Sequence, residues 1–267
     1  MSEAKSKKFY SYPHDTKAIA FIDIVGFGAL TKKFATNQEL AQLVFVSHEN
    51  CILHHRASMK TTEGFKREVP TDLNMEGHKQ GFWYKEVPDG SVNFIYLSDS
   101  VLLYSSSVSH LVRELSSIVG AAVVFGVPMR AVITVGDLEH SEWIERPGSA
   151  ICLYGSALTK AVELEKSMSG KCMRVWLDHE VVDLMKKIEP LKRLIEEPSC
   201  FQKHSELKWW EGALQGTQGR TESQELKYRF DRWFSEKHPK DWFAGENKKD
   251  AERSVAHAVA ELQKIGR

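Results

Sequence analysis

The sequence predicts a mixed α+β fold, a mostly antiparallel sheet with helices on one face. Three observations predict it. Apolar, β-rich runs occur at 18–24, 94–104, 129–136 and 173–177. Between them lie segments with apolar residues at helical spacing. The order along the chain is strand, helix, hairpin, helix, strand, helix, strand, helix. At 267 residues the chain also suits one elaborated domain with a sizeable core.

Residues 1–16 read as a polar lead-in. Residues 18–24 (AIAFIDI) form a buried-type strand that ends in Asp23 and turns through Gly26 and Gly28. Thr36 and Glu39 make a capping box, with Leu40, Val44, Ser47 and Cys51 on one helical stripe. Residues 56–81 are polar and aperiodic, and the insertion they belong to runs over about 56–91. Long loops of this kind are usually functional or mobile. Residues 82–87 are a candidate strand, followed by the turn signal Pro88-Asp89-Gly90. Asp99 lies on a short turn between two apolar runs, a hairpin tip. A helix is expected over 109–125 and a strand over 129–136. Another helix follows Tyr154-Gly155, and a short strand covers 173–177. Asp178 is placed to cap a helix at 180–188.

From Glu189 the composition shifts. Lys208-Trp209-Trp210 is followed by Tyr228, Phe230, Trp233, Phe234, Trp242 and Phe243, then by a helix over 248–265 carrying Val255, Val259 and Leu262. Such an aromatic tail is expected to pack. The division is therefore 1–188 as the main domain and 189–267 as an extension packed on it. Partner binding or covering of the site are the alternative uses of the tail.

Lys+Arg and Asp+Glu both number 36, so net charge gives no reason to expect nucleic acid or a membrane surface as partner. The four cysteines are scattered without a C-x-x-C, which reads as free thiols in a reducing compartment. The first residues lack an apolar h-region, and no apolar run is long enough to span a bilayer. A cytoplasmic protein is expected. The eleven histidines show no metal spacing.

Asp23 is the leading candidate residue. It follows an apolar run, where an unpaired carboxylate is costly. A helix N-cap is the bland role for such an Asp. The functional role is a metal ligand, held by the Asp23 carboxylate and the Ile24 carbonyl. The amides of Val25, Gly26, Phe27 and Gly28 then face a phosphate. With Asp99 as a second strand-end carboxylate, the pair suits a two-metal nucleotidyl-transfer site using Mn2+ or Mg2+.

The segment Phe21-Ile22-Asp23-Ile24-Val25-Gly26-Phe27 resembles the F-x-D-I-x-G-F signature of class III nucleotidyl cyclases. Residues 129–136 resemble that family's R-x-G-I-x-x-G, and 154–165 its Y-G-x-x-V-N-x-A-x-R-L-E. The resemblance covers about residues 17–188. It implies a ferredoxin-like βαββαβ core and a homodimer. It also implies attack of a ribose 3′-oxygen on the α-phosphate with loss of pyrophosphate, at two divalent ions per site.

Departures matter as much. The family's base-reading Lys position is Ile95, and its second base-reading position is Cys152. Its Asn position is Thr159 and its transition-state Arg position is Glu163. The chain is similar to the pyrimidine cyclases of bacterial Pycsar anti-phage systems in Gly155, Leu158, Ala161, Leu164 and Glu165, and in Arg174 just after them. That resemblance implies UTP, or alternatively CTP, as substrate and a separate effector that senses the cyclic nucleotide. A catalytically silent nucleotide-binding homologue is the rival reading. Candidates for the missing phosphate charge are Arg130, Lys160, Arg174 and Lys208. Tyr96 is expected on the face opposite Ile95. His48, Asn50 and His54 are candidate base readers.

Overall fold

The computed structural model describes residues 16–27, 92–97, 100–125, 127–145, 148–168, 172–198, 204–213, 220–235 and 245–267. The expected helix at 36–51, the insertion, the candidate strand at 82–87 and His48, Asn50 and His54 lie outside them.

The described residues form a seven-stranded sheet and a separate two-stranded ribbon. Strand β1 (Thr16–Ile24) is an interior strand, third in the sheet order. It pairs antiparallel with β3 (Ser100–Ser105) on one side and with β4 (Met129–Asp137) on the other. Strand β2 (Asn93–Leu97) forms the hairpin with β3. Beyond β4 come β7 (Val175–Leu177), β9 (Ser205–Leu207) and β8 (Ile195–Glu196). Of these pairings, β4 with β7 is the parallel one. The ribbon is β5 (Glu139–Glu145) with β6 (Gly148–Tyr154).

The strands alternate between two apolar layers, as the pleat requires. Ala18, Ala20, Ile22 and Ile24 enter the larger core, with Val101, Leu103, Ala131 and Ile133. Helix α1 (Val108–Phe125) closes that face with Leu111, Leu115 and Ile118. Helix α3 (His179–Lys186) adds Val181 and Met185. After the short α4 (Glu189–Lys192) and α5 (Trp210–Ala213), α6 (Glu222–Phe230) and α7 (Gly245–Lys264) contribute Leu226, Val255 and Leu262 to the same core.

The fold class is the expected one, with one departure. Helix α2 (Ser156–Ser167) lies on the opposite face, where Ala157 and Ala161 pack on Ile19, Leu102 and Val132. The physical reason is that β1, β3 and β4 are apolar on both sides, so both need cover. The sheet also continues past residue 188, because β9 hydrogen-bonds to β7. Asp178 stands at the N-cap of α3, but its side chain takes no helix amide. It accepts instead from His179 Nδ1 at 2.9 Å. Among the described residues no helix is long and apolar enough to cross a membrane.

Ile22 is fully buried on the interior strand β1. Replacing Ile22 by Ala is expected to lower the unfolding free energy by about 3 kcal/mol, read from the urea midpoint at unchanged m-value. A loss below about 1 kcal/mol would mean that the core can close over the missing methyls.

Candidate functional site

Three side chains meet at one end of the face covered by α2. Register places Asp23 opposite Ser100 on β3 and opposite Arg130 on β4. Paired residues share a face, so all three project toward the side of Ile19, Leu102 and Val132. Arg130 Nη2 pairs with Asp23 Oδ2 at 3.0 Å and also with Glu165 Oε1. Arg130 Nη1 donates to the Met168 carbonyl at 3.4 Å. Ser100 Oγ donates to Asp23 Oδ1 at 3.4 Å. The Asp23, Arg130 and Glu165 side chains are 16%, 18% and 16% exposed, low enough for their charges to act strongly on one another.

The chain is built to bring Glu165 there. Thr134 Oγ1 donates to the Ala157 carbonyl at 2.8 Å, and the Asp137 amide donates to Ser156 Oγ at 3.0 Å. These bonds pin the first turn of α2 to the far end of β4. Gly155 makes the entry possible. Its φ is 140°, and a Cβ there would stand 2.1 Å from the Asp137 carbonyl oxygen. From Ala157 to Glu165 the helix advances about 12 Å, and from Thr134 back to Arg130 the strand covers about 13 Å. The two distances match, so Glu165 arrives over Arg130.

The alternative role for Asp23, a helix N-cap, does not apply. Asp23 lies within β1, and the first helical residue after the turn is Phe27. The turn itself needs Gly26, whose φ is 83°. The row of phosphate-facing amides needs one correction. The Val25 amide donates to the Pro128 carbonyl at 2.9 Å, which removes it from that role. Gly28 and Asp99 lie outside the described residues. Asp99 is nevertheless the chain neighbour of Ser100, the cross-strand partner of Asp23.

The other charge candidates are held elsewhere. Lys160 Nζ donates to the Val135 carbonyl at 3.2 Å and pairs with Glu180 at 2.8 Å. That carbonyl is about 16 Å along β4 from Arg130. Arg174 lies between Glu206 and Asp250, at 2.5 and 3.3 Å. Burial opposes its charge, yet the two carboxylates outweigh that and hold the guanidinium above its ordinary pKa. Burial raises the Glu206 carboxyl, against the pull of Arg174. Lys208 is three strands from β1, about 14 Å across the sheet, and its charge acts on Glu211 and Glu261. Glu163 is exposed, and the exposed Thr159 donates its hydroxyl to the Gly155 carbonyl.

Ile95 packs on the Asp23 face beside its partner Leu102, while the register puts Tyr96 opposite Val101 of the other core. Cys152 lies on β6 opposite Ser141, in the separate ribbon, and its side chain is outside the described ones. Ile95 and Cys152 thus belong to different sheets. Glu165 is the site residue whose role sequence reasoning missed. Its signal was its place directly after the Leu158, Ala161, Leu164 stripe, which fixes the direction it faces.

A divalent cation suits the donor chemistry at Asp23. The groups are hard oxygens, and two carboxylates stand against one guanidinium, leaving excess negative charge. Among the described residues no group of three His, Cys, Asp or Glu forms a complete cage. The buried Nε of Arg130 has no hydrogen-bond partner among the described residues.

No family model matches the chain, and no curated protein aligns with it. Among solved structures it is similar to the adenylyl cyclase CyaB from P. aeruginosa, at TM-score 0.47 and 12% identity, covering 75% of this chain and 94% of that one. It is similar to the guanylyl cyclase domain of the RhoGC fusion protein from the aquatic fungus Blastocladiella emersonii, at TM-score 0.43 and 12% identity, covering 66% and 85%. It is also similar to the guanylyl cyclase Cya2, at TM-score 0.42 and 9% identity, covering 78% and 97%.

Arg174→Met leaves Glu206 and Asp250 buried without their guanidinium. The expected cost is about 3 kcal/mol of stability, measured by denaturant titration, with Mn2+ affinity unchanged. Unchanged stability with lost Mn2+ or nucleotide binding would assign Arg174 to the site instead.

Proposed function

We propose that the chain is a metal-dependent nucleotidyl cyclase acting on a pyrimidine triphosphate, converting UTP to 3′,5′-cyclic UMP and pyrophosphate. The observation that carries this reading is the place of Asp23. It lies near the C-terminal end of β1, faces Ser100 beside Asp99, and is matched to Arg130. The motif around it, residues 21–27, is the most specific in the sequence.

In this reading Asp23, the Ile24 carbonyl and Asp99 hold Mn2+ or Mg2+, two ions per site. Bound there, the metal supplies charge for the triphosphate and acidity for the ribose 3′-hydroxyl. The amides from Gly26 to Gly28 receive a phosphate. Little side-chain acid–base work is needed, because positioning and charge dominate phosphoryl transfer. Ile95 gives the base an apolar neighbour in place of the Lys that reads purines. UTP is the substrate of this reading and CTP its alternative. The further parts of the proposal are a homodimer, a cytoplasmic location and an effector that senses the product in bacterial anti-phage defence; the resemblance supplies them.

A second reading is nucleotide binding without turnover. Glu163 favours it, because it stands where an Arg is expected, and so do Arg174 and Lys160, each engaged by carboxylates.

Incubation with each of the four NTPs and Mn2+, followed by chromatography, is expected to yield cyclic UMP. Asp23→Asn and Asp99→Asn are each expected to lower the rate by a factor of at least ~100 while the circular dichroism spectrum is retained. Cyclic AMP or cyclic GMP as the main product overturns the pyrimidine reading. Absence of any product, with UTP still bound, establishes the silent one.

A further inference from the structure

We propose that Glu165 is a positioning residue for the Asp23 carboxylate, acting through Arg130, and that it sets the affinity of this end of the site for a divalent cation. The inference rests on the reading above in one respect, that Asp23 is a cation ligand.

Arg130 Nη2 serves two carboxylates at once, Asp23 Oδ2 and Glu165 Oε1. A cation arriving at Asp23 competes with that guanidinium for the same oxygen. If Asp23 were the one partner of Arg130, giving it up would strand a largely buried positive charge, and cations would be repelled. Glu165 removes both penalties. It keeps Arg130 compensated after Asp23 is taken, and the Met168 carbonyl holds the guanidinium's other nitrogen. It also leaves the three-residue cluster with a net charge of −1, since two carboxylates face one guanidinium. Glu165 is placed by the fixed start of α2 at Gly155 and Ala157, so its reach does not depend on the ligand.

The test measures Mn2+ binding by the full chain without nucleotide, from the electron paramagnetic resonance signal of free Mn2+. Glu165→Gln is expected to weaken binding by at least about tenfold. Glu165→Asp keeps the charge and is expected to stay within about threefold of the parent. In an Arg130→Gln background the further change Glu165→Gln is expected to shift the affinity by less than about threefold, because its route is gone. Circular dichroism of each variant confirms folding. Equal losses from Glu165→Gln in both backgrounds overturn the proposal, as does no loss in the parent background. If the parent binds Mn2+ and Asp23→Asn binds it equally well, the Asp23 assignment fails on its own. A parent chain that binds no Mn2+ overturns the cation reading and this proposal together.

Discussion

One guanidinium between two carboxylates fixes the arrangement of this site. Asp23 lies near the C-terminal end of β1, an interior strand, at a position where burial makes a lone charge expensive. A neighbouring strand supplies Arg130 at the matching register, and a helix on that face supplies Glu165. The planar fork of Arg suits such sharing, whereas a Lys offers a single point charge. Moving β4 by one residue would turn Arg130 to the other face and leave both acids unmatched. The strand register, the direction of α2 and the charge at the strand end are therefore one constraint.

The same device recurs two strands away. Arg174 lies between Glu206 on β9 and Asp250 on α7, and Asp250 also accepts the Cys172 amide at 2.7 Å. Ser254 of α7 donates its hydroxyl to the Met173 carbonyl at 2.6 Å, and Trp209 Nε1 reaches the same carbonyl at 3.2 Å. Met173 itself adopts a positive φ of 54°. The backbone before β7 is thus determined by groups that come much later in the chain. One cluster surrounds a candidate ligand oxygen, and the other ties distant segments together.

What the sequence made legible follows from how far each signal travels. Strands β1 and β4 and helix α1 were readable because continuous apolar runs declare themselves locally. The Asp23 turn was readable because two glycines and a carboxylate sit in a short span. The β5–β6 ribbon was not, since Glu139-His140-Ser141-Glu142 carries no apolar alternation. Strand β9 is three residues long and owes its place to β7. The charge candidates show the same limit. Arg174 looks available until Glu206, 32 residues on, takes it. Glu165 looked like the end of an apolar pattern, and Arg130, at the start of β4, completes its meaning.

The late arrival of Asp250 has a kinetic side. Synthesis at about 5–20 residues per second separates Arg174 from Asp250 by roughly 4–15 s. Early in that interval β7 can dock on β4 while its outer edge waits for β9, and the guanidinium waits to the end for its second acid. A nascent chain paused there presents an open strand edge beside an uncompensated charge. The charge itself acts as a gatekeeper, discouraging another chain from adding to that edge until its own partners emerge.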